Sequence, residues 1–378
     1  MFGGALVKTV VSIVRGYDFK ETVRKSLDLL GGLEKFVERG ESVLIKPNLT
    51  AGFIPDTGAT TKPEVVKAIV ELLWEVGADR VIIGEGEIEE AYKRSRMNEV
   101  AKETGCELIN FRHGPFIEVE VPNSLFFKKV RIAKILFECD KLLSVPVLKT
   151  HHLSLITVAL KNMYGVIPVE DKIGYHRMDK LEEAIVDINL AKKADLIVVD
   201  GFIGEEGLAG GIRHDRPVHM DTVIAGSDPV AVDTVCSKIM GIDPTKVQHL
   251  KWAAERGIGT MRNIEVKGLR ISDVARKFKT PIDQVNEEHK KVKIHDFGSC
   301  SGCHGRVATV IDQIKDETLR EMIDIYVGPE AVLPEKSRGV EVFIGDCTKP
   351  HSRGRGLYID GCPPTMQSIK AELEKLLK

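Results

Sequence analysis

The sequence lacks the features that mark membrane-spanning and secreted proteins. No apolar run reaches the roughly 18 residues that a transmembrane helix needs. Residues 1–16 form an alternating apolar stretch that contains Lys8 and has no signal-peptide cleavage pattern. The formal net charge is only −2, so there is no electrostatic reason to expect a nucleic-acid partner or a membrane surface. We therefore expect a soluble, cytoplasmic protein in a reducing compartment where disulfides are disfavoured.

Internal repeats and low-complexity segments are also missing, which argues against a repeat architecture. The chain has 378 residues, of which 43% are hydrophobic, and this is enough for two or three domains. Asn and Gln are scarce and 29% of the residues are charged, a balance that fits a protein from a thermophile.

The cysteines fall into two groups. Cys106, Cys139 and Cys236 lie in apolar or helical contexts, which predicts small buried side chains. Glycine permits positive φ and close backbone approach, so that amide N–H groups can point at a sulfur atom. The other four cysteines lie in such glycine-flanked turns near the end of the chain: Ser299-Cys300-Ser301-Gly302-Cys303, Gly345-Asp346-Cys347 and Gly361-Cys362-Pro363-Pro364.

Four thiolates in this pattern predict a metal centre. The C-x2-C pair of Cys300 and Cys303 lets two sulfurs meet one centre from a single turn, and the chain must fold back to bring in Cys347 and Cys362. Structural zinc sites usually consist of two such pairs, whereas this chain has one pair and two single cysteines. An iron–sulfur cluster is therefore the preferred interpretation. Zinc, a redox-active pair or disulfide, and incidental cysteines are the alternatives.

These turns resemble the cluster motif in the small subunits of nickel–iron hydrogenases and in the related quinone-oxidoreductase subunit. There, C-x-G-C, G-x-C and G-C-P-P hold a four-iron, four-sulfur (4Fe-4S) cluster. The resemblance covers about residues 297–378 and implies one 4Fe-4S cluster on the four cysteines. His304 follows Cys303 directly and His351 lies close to Cys347, so both are candidates for hydrogen bonds to the cluster.

The rest of the chain alternates strand and helix patterns, as in a parallel sheet with crossover helices. The segment 141–147 is almost wholly apolar and is predicted to be a central strand. The pattern predicts an α/β fold with a doubly wound, mostly parallel sheet over residues 1–259. A charged connecting segment at 260–293 leads to a smaller C-terminal βα module at 294–378. Further predicted elements are a strand at Val7–Val14 and helices at Glu87–Thr104, Val307–Tyr326 and Thr365–Lys378.

Polar residues follow several predicted strands, where doubly wound sheets bind their ligands. Lys46 and Asn48 end the second strand, and a hydroxyl- and glycine-rich loop with Thr60 and Thr61 leads into a helix that begins at Lys62-Pro63. Free N–H groups at a helix N-terminus can receive an anion, although simple capping by Thr60 or Thr61 is the alternative.

A second polar corner follows the apolar central strand. Lys149 precedes the pair His151-His152, Lys161 follows a short apolar helix, and His176 lies further on. Asp200 ends the next strand and opens a glycine-rich acidic loop that reaches Gly211. We expect Lys149, His151, Lys161 and Asp200 to be catalytic, and Lys46, Asn48, Thr60, Thr61 and His176 to bind a cofactor or substrate. One cleft at the carboxyl edge of the sheet is expected to be lined by Lys46, Asn48, Thr60, Thr61, Lys149, His151 and Asp200.

Six motifs in this region resemble, in order, those of the domain of unknown function 362 family. The resemblance covers about residues 7–255 and implies the α/β fold. Members of that family often carry iron–sulfur modules, commonly ferredoxin-like ones, whereas the cluster motif here is of the G-C-P-P kind. The motifs are Lys46-Pro47-Asn48, Thr60-Thr61-Lys62-Pro63-Glu64, Pro146-Val147-Leu148-Lys149-Thr150-His151, Lys161-Asn162-Met163-Tyr164-Gly165, Val199-Asp200-Gly201 and Asp228-Pro229-Val230-Ala231-Val232-Asp233.

Two functional hypotheses follow. The first is an iron–sulfur redox enzyme or electron-transfer component that acts on a small anionic substrate or cofactor, with that ligand or a redox protein as its partner. The second is a non-redox enzyme that holds a metal or cofactor on His151, Lys161 and His176, or a metal-centre assembly protein. The spacing of His151 and Lys161 is similar to that in the nickel-dependent lactate racemase family, whose surrounding motifs are missing here.

Overall fold

The computed structural model describes residues 9–210, 213–330, 332–334 and 337–377. Its strands, in chain order, are β1 (Thr9–Arg15), β2 (Ser42–Pro47), β3 (Arg80–Glu85), β4 (Glu107–Asn110), β5 (Phe116–Glu120), β6 (Lys129–Ala133), β7 (Lys141–Val145), β8 (Val147–His151), β9 (Leu155–Thr157), β10 (Leu196–Glu205), β11 (Pro217–Gly226), β12 (Ile264–Gly268), β13 (Val292–Asp296), β14 (Ile323–Val327), β15 (Val340–Ile344) and β16 (Leu357–Ile359).

The helices surround these strands. They are α1 (Phe19–Asp28), α2 (Pro63–Val76), α3 (Glu89–Arg94), α4 (Met97–Thr104), α5 (Ile135–Glu138), α6 (Ala159–Asn162), α7 (Val169–Arg177), α8 (Leu181–Ala191), α9 (Pro229–Ile239), α10 (Gln248–Glu255), α11 (Ile271–Val274), α12 (Pro281–Glu288), α13 (Ser301–Asp312), α14 (Lys349–Ser352) and α15 (Met366–Glu374). No helix in these ranges is both long and apolar enough to cross a bilayer.

A large sheet organises most of the chain. Its strand order is β12, β1, β11, β10, β7, β2, β3, β4, with β8 paired to β10 and β9 paired to β8. Neighbouring strands are parallel except at β11, which is antiparallel to β1 and β10, and at β9. Alternate residues of β2 enter two hydrophobic cores, because Leu44 belongs to one and Val43 and Ile45 to the other. The predicted α/β fold with a mostly parallel sheet is therefore confirmed.

A second, smaller sheet carries the C-terminal module. It consists of β13, β14, β15 and β16 in sequence order, all parallel, and its core includes side chains from α13 and α15. The module is joined to the main sheet at α13. A Cβ atom on Gly305 would lie 2.3 Å from the Leu153 carbonyl oxygen, so only glycine permits this approach. Thr309 donates a hydrogen bond of 3.2 Å to the carbonyl of His152 in the same loop.

Three elements differ from the sequence prediction. The predicted helix Glu87–Thr104 is broken into α3 and α4 at Arg96, whose φ is 61°. The predicted helix Val307–Tyr326 ends at Asp312, because the following residues turn and then enter β14, where Ile323 and Ile325 are buried. The predicted loop after Asp200 is instead the second half of β10, since residues as far as Glu205 pair with β11.

The connecting segment at 260–293 also contributes to the fold. It contains β12, which pairs with β1 at one edge of the large sheet, together with α11 and α12. The segment is rich in charged residues because an edge strand has a polar face. A charged edge strand and a linker therefore look alike in sequence. Val7 and Lys8 of the predicted first strand, Gly211 of the predicted loop and Lys378 of the predicted last helix lie outside the described residues.

Candidate functional site

A cleft of about 190 Å³ opens at the carboxyl ends of β2, β3 and β8, which is where a doubly wound sheet places its ligand. We call it the lysine cleft. It is lined by Lys46, Asn48, Leu49, Thr50, Glu85, Glu87, Lys149, His151, Thr157, Lys161, Asn162, Tyr164, Gly165, Lys172, His176 and Gly210.

A buried ion pair forms the floor of the cleft. Lys46 at the end of β2 donates to Glu85 at the end of β3, and both side chains are at most 3% exposed. Lys46 Nζ also donates to the Pro47 carbonyl at 3.0 Å. A Cβ atom on Gly165 would lie 2.2 Å from Glu85 Oε1, so glycine is required above the pair. Sequence reasoning missed Glu85. The signal was Lys46 in an otherwise apolar strand, because a buried ammonium group needs a partner.

Two further lysines that line the cleft, Lys149 and Lys161, have no carboxylate partner in the described part of the chain. Lys149 Nζ donates to the Ala59 carbonyl at 2.7 Å and to Thr50 Oγ1 at 3.2 Å. Burial lowers the pKa of Lys149 to about 8. Burial, followed by the charges of Lys149, Lys172 and Lys46, lowers the pKa of Lys161 to about 7. Both ammonium groups are therefore destabilised until an anion enters the cleft.

The histidines of the cleft are neutral at pH 7. Burial lowers the pKa of His151 well below its usual value and that of His176 to about 4. His151 Nδ1 accepts hydrogen bonds of 3.1 Å from the backbone N–H groups of Leu153 and Ser154. The proton of the neutral ring is therefore assigned to Nε2, which lacks a partner among the residues described. His152 packs on the His151 ring at a centroid distance of 4.4 Å and does not line the cleft.

Some polar groups of the cleft have no protein partner within the described ranges. Asn48 Oδ1 and Thr157 Oγ1 are buried and unpaired. The Glu87 carboxylate, another residue that sequence reasoning missed, accepts a hydrogen bond from the Ile88 backbone N–H, and burial raises its pKa. Buried polar atoms are normally paired, so this arrangement is typical of a site that a polar ligand completes.

Three of the predicted site residues do not reach the cleft. Thr60 Oγ1 accepts from the Thr50 N–H at 3.2 Å, and Thr61 Oγ1 bridges the Asn48 N–H at 2.8 Å and the Val145 carbonyl at 2.7 Å. Asp200 accepts from the Lys62 N–H at 2.7 Å and is fully buried. Its carboxylate occupies the N-terminus of α2, so the predicted anion-binding helix end is already filled by the protein.

The other predicted site residues do meet. Lys46, Asn48, Lys149, His151, Lys161 and His176 all line the lysine cleft. They come from β2, β8, α6, α7 and the loop after β2. Of the seven side chains expected in one cleft, Lys46, Asn48, Lys149 and His151 line it, whereas Thr60, Thr61 and Asp200 do not.

The four cysteines of the C-terminal module also converge. Cys300 is the N-cap of α13, and Cys303 lies in its first turn. A Cβ atom on Gly345, whose φ is 95°, would lie 3.0 Å from Cys303 Sγ and 3.8 Å from Cys347 Sγ. A Cβ atom on Gly302 would lie 2.9 Å from Pro363 Cγ, which brings the Cys362 turn against the C-x2-C turn.

Hydrogen bonds lock the cysteine turns together. The Asp346 N–H donates to the Gly361 carbonyl at 3.0 Å, and the Gly361 N–H donates back to Asp346 Oδ1 at 2.8 Å. Burial raises the pKa of Cys303, and the charges of Cys300, Cys347 and Cys362 raise it further. Four thiolates this close repel one another, so the four cysteines together favour the binding of a positively charged metal centre.

The other three cysteines and the two histidines near the turns do not contribute to this cysteine group. Cys106, Cys139 and Cys236 are buried, as predicted. His304 was expected to donate to the cluster, but its Nδ1 lies 3.0 Å from Asp296 Oδ2 and its Nε2 is the acceptor for the Ile282 N–H at 3.5 Å. His351 Nε2 lies 3.3 Å from the Pro329 carbonyl. Both rings thus have other partners, and we no longer assign them to the cysteine site.

A second cavity, of about 340 Å³, lies between the module and the main sheet. We call it the module cavity. Cys362, Pro363, Gly302 and Arg306 line one side, and His176 lines both this cavity and the lysine cleft. The cysteine turns and the cleft therefore lie on either side of one imidazole.

These features define an α/β protein with a cationic cleft at the carboxyl edge of its sheet and a module that gathers four cysteines beside it. A family model described as "Domain of unknown function (DUF362)" matches residues 43–238, more than half of the chain. The chain belongs to this family.

Similar proteins have been described. The thylakoid-associated protein sll1697 of Synechocystis sp. (strain ATCC 27184 / PCC 6803 / Kazusa) is 28% identical over 268 residues, which is 67% of this chain and 80% of that protein. A crystal structure of a Thermotoga maritima protein aligns with a TM-score of 0.39 and 15% identity over 61% of each chain. The lactate racemase apoprotein from Thermoanaerobacterium thermosaccharolyticum aligns with a TM-score of 0.39 and 12% identity, over 84% of this chain and 68% of that one.

Proposed function

We propose that this protein is an iron–sulfur protein with one 4Fe-4S cluster on Cys300, Cys303, Cys347 and Cys362, and that it acts as a redox enzyme or electron-transfer component on a small anionic ligand in the lysine cleft. The observation that carries the proposal is the convergence of four cysteines from three separated turns beside that cleft. When bound, such a cluster supplies electron transfer at a potential set by its surroundings.

The donor set fits a cluster better than a single zinc ion. Within the described part of the chain, no three His, Cys, Asp or Glu side chains lie close enough to hold one metal ion. Around a single zinc ion, each sulfur lies about 2.3 Å from the metal, which requires a tight group. In a cluster, each thiolate binds a different iron, so the sulfurs are spread further apart. The Gly328 N–H, which donates to Cys347, also suits a cluster, since such bonds tune its potential.

The protein's own residues hold the two parts in contact. Arg306 on α13 donates to the Pro364 carbonyl at 2.8 Å and to the Asp179 carbonyl at 2.9 Å, which ties the Cys362 turn to the segment before α8. Ser301 donates to Glu182 at 2.6 Å, which fixes the C-x2-C turn against α8. His176 separates the two cavities, and its ring has no hydrogen-bond partner among the side chains and backbone described. The shared His176 wall supports the proposal of electron transfer into the cleft.

We expect the cleft to bind sulfate more weakly as the pH rises from about 6 to about 9, by at least about tenfold. Lys161, with a pKa of about 7, and Lys149, with a pKa of about 8, are charged below those values and lose their charge above them. Isothermal titration calorimetry measures the affinity.

Other charged groups facing the cleft should not reverse this trend. His151 and His176 are already neutral, and Lys46 is paired with Glu85. Lys172 Nζ donates to the Gly86 carbonyl at 3.0 Å. Lys161→Met should remove most of the change near pH 7, and an affinity that is constant with pH in the unmodified protein would contradict the anion site.

A second candidate function is a non-redox enzyme that holds a metal or cofactor on His151, Lys161 and His176, or a metal-centre assembly protein. It is favoured by one observation, that these three side chains line the same cleft.

The visible spectrum of anaerobically purified protein tests the redox proposal. We expect a broad band near about 400 nm that bleaches with dithionite, as for a redox-active cluster. Protein that contains zinc and lacks the band would overturn the cluster. A band that dithionite cannot bleach would leave the cluster in place and favour the second candidate.

A further inference from the structure

Lys161 differs from the other lysines of the lysine cleft in having no fixed partner. Lys46 is bound to Glu85, Lys149 to the Ala59 carbonyl and Lys172 to the Gly86 carbonyl. In the ranges that the structure describes, Lys161 Nζ has neither a hydrogen bond nor an ion pair, and it lies 5.7 Å from the centre of the Tyr164 ring. Its amine faces the cleft with its donors uncommitted.

The surroundings of Lys161 favour a neutral amine. Burial and the nearby charges of Lys149, Lys172 and Lys46 all lower the pKa of this group. Desolvation and neighbouring cations are the two ways in which proteins turn a lysine into a nucleophile for carbonyl compounds. Because Lys46 stays paired and Lys149 and Lys172 stay bound to carbonyl oxygens, Lys161 is the amine best suited to attack.

The same cleft can hold a carboxylate. Lys149 uses two of its three donors on Ala59 and Thr50, so one N–H remains. His151 Nε2–H is a second donor, since Nδ1 is occupied by the backbone. The buried, unpaired Thr157 Oγ1 offers a third polar contact. A small molecule with a carboxylate and a neighbouring carbonyl group would therefore bind Lys149 and His151 through its carboxylate and place its carbonyl group at the Lys161 amine.

We propose that Lys161 forms an imine with the carbonyl carbon of a small oxo acid whose carboxylate lies between Lys149 and His151. This inference rests on the proposed anion-binding role of the cleft. The lone pair of Nζ forms the C–N bond, and a proton passes from nitrogen to the carbonyl oxygen to give a carbinolamine. In our proposal the general acid is Glu87, in the same cleft, because its burial favours the protonated form; its carboxyl proton goes to the hydroxyl group, which leaves as water. The products are a protonated imine, one water molecule and the Glu87 carboxylate.

Reductive trapping tests the imine directly. The holoprotein is incubated with pyruvate and sodium borohydride, digested and mapped by mass spectrometry. We expect one dominant adduct, on Lys161, and a loss of at least about tenfold in adduct yield in Lys161→Arg, which keeps the charge but not the nucleophile. Lys251→Arg, a change at an exposed lysine that does not line the cleft, should leave the yield unchanged. Acetone, which has the carbonyl group without the carboxylate, should give much less adduct.

Displacement of sulfate by pyruvate, followed by calorimetry, separates the possible failures. If pyruvate displaces sulfate but the trapped adducts are spread over many lysines and persist in Lys161→Arg, the imine is overturned and the anion site stands. If pyruvate displaces sulfate and nothing is trapped, the imine is also overturned. If sulfate itself does not bind, the anion part of the proposed function fails as well.

Discussion

Cys303→Ala is expected to lower the iron and acid-labile sulfide content of anaerobically purified protein by at least about tenfold. Cys303 is 4% exposed and lies in the first turn of α13, with its sulfur beside Gly345 and within reach of the charges of the other three cysteines. Cys303 is the most buried of the four cysteines proposed to bind the cluster, and alanine offers no atom to replace its sulfur. Iron and sulfide analysis, with the absorbance near 400 nm, measures the effect.

The matched control is Cys236→Ala. Cys236 is also buried, at 0% exposure, but it lies on α9 in the core of the large sheet. Its replacement creates a small cavity and should leave the iron content unchanged, so the comparison separates ligand loss from general destabilisation. Cys347→Ala and Cys362→Ala should also lose iron. Full iron retention in both of these variants would refute the four-ligand assignment.

The close packing of the cysteine turns was predictable because its signal is local in the sequence, whereas the cluster itself stays a prediction. A C-x2-C turn and glycines beside each cysteine specify close backbone approach, and Gly345 and Gly302 do pack against Cys303 and Pro363. The sequence predicted the type of sheet but not the order of its strands. Apolar runs such as 141–145 indicate central parallel strands, but they carry no information on which strand is next to which.

The cleft was only partly predictable, because polar residues at strand ends serve two purposes. Lys149 and Lys161 face the ligand space, whereas Thr61 and Asp200 hold backbone N–H groups of the neighbouring loops. In sequence, both kinds appear as polar residues after an apolar strand. Their difference depends on which loop packs against which, and that is a long-range property. Glu85 was missed for the same reason, since its partner Lys46 lies on another strand.

Glu85→Gln is expected to lower the free energy of unfolding by about 3–5 kcal/mol, because it leaves a buried ammonium group without its carboxylate. Lys46 and Glu85 are at most 3% exposed, so water cannot replace the lost partner. Chemical denaturation monitored by circular dichroism measures the change. Glu103→Gln breaks the exposed ion pair with Lys67 and should have a far smaller effect, since solvent screens that pair.

A double variant tells whether charge burial or packing causes the loss. Lys46→Met with Glu85→Leu replaces both charges by apolar side chains of similar volume, and it should recover most of the stability that Glu85→Gln loses. The Gly165 backbone, which lies directly against the pair, limits how far these side chains can move. A double variant as unstable as Glu85→Gln would mean that the shape of the pair matters more than its charge. Since Lys46 and Glu85 line the lysine cleft, the double variant should also bind sulfate with altered affinity while retaining its iron.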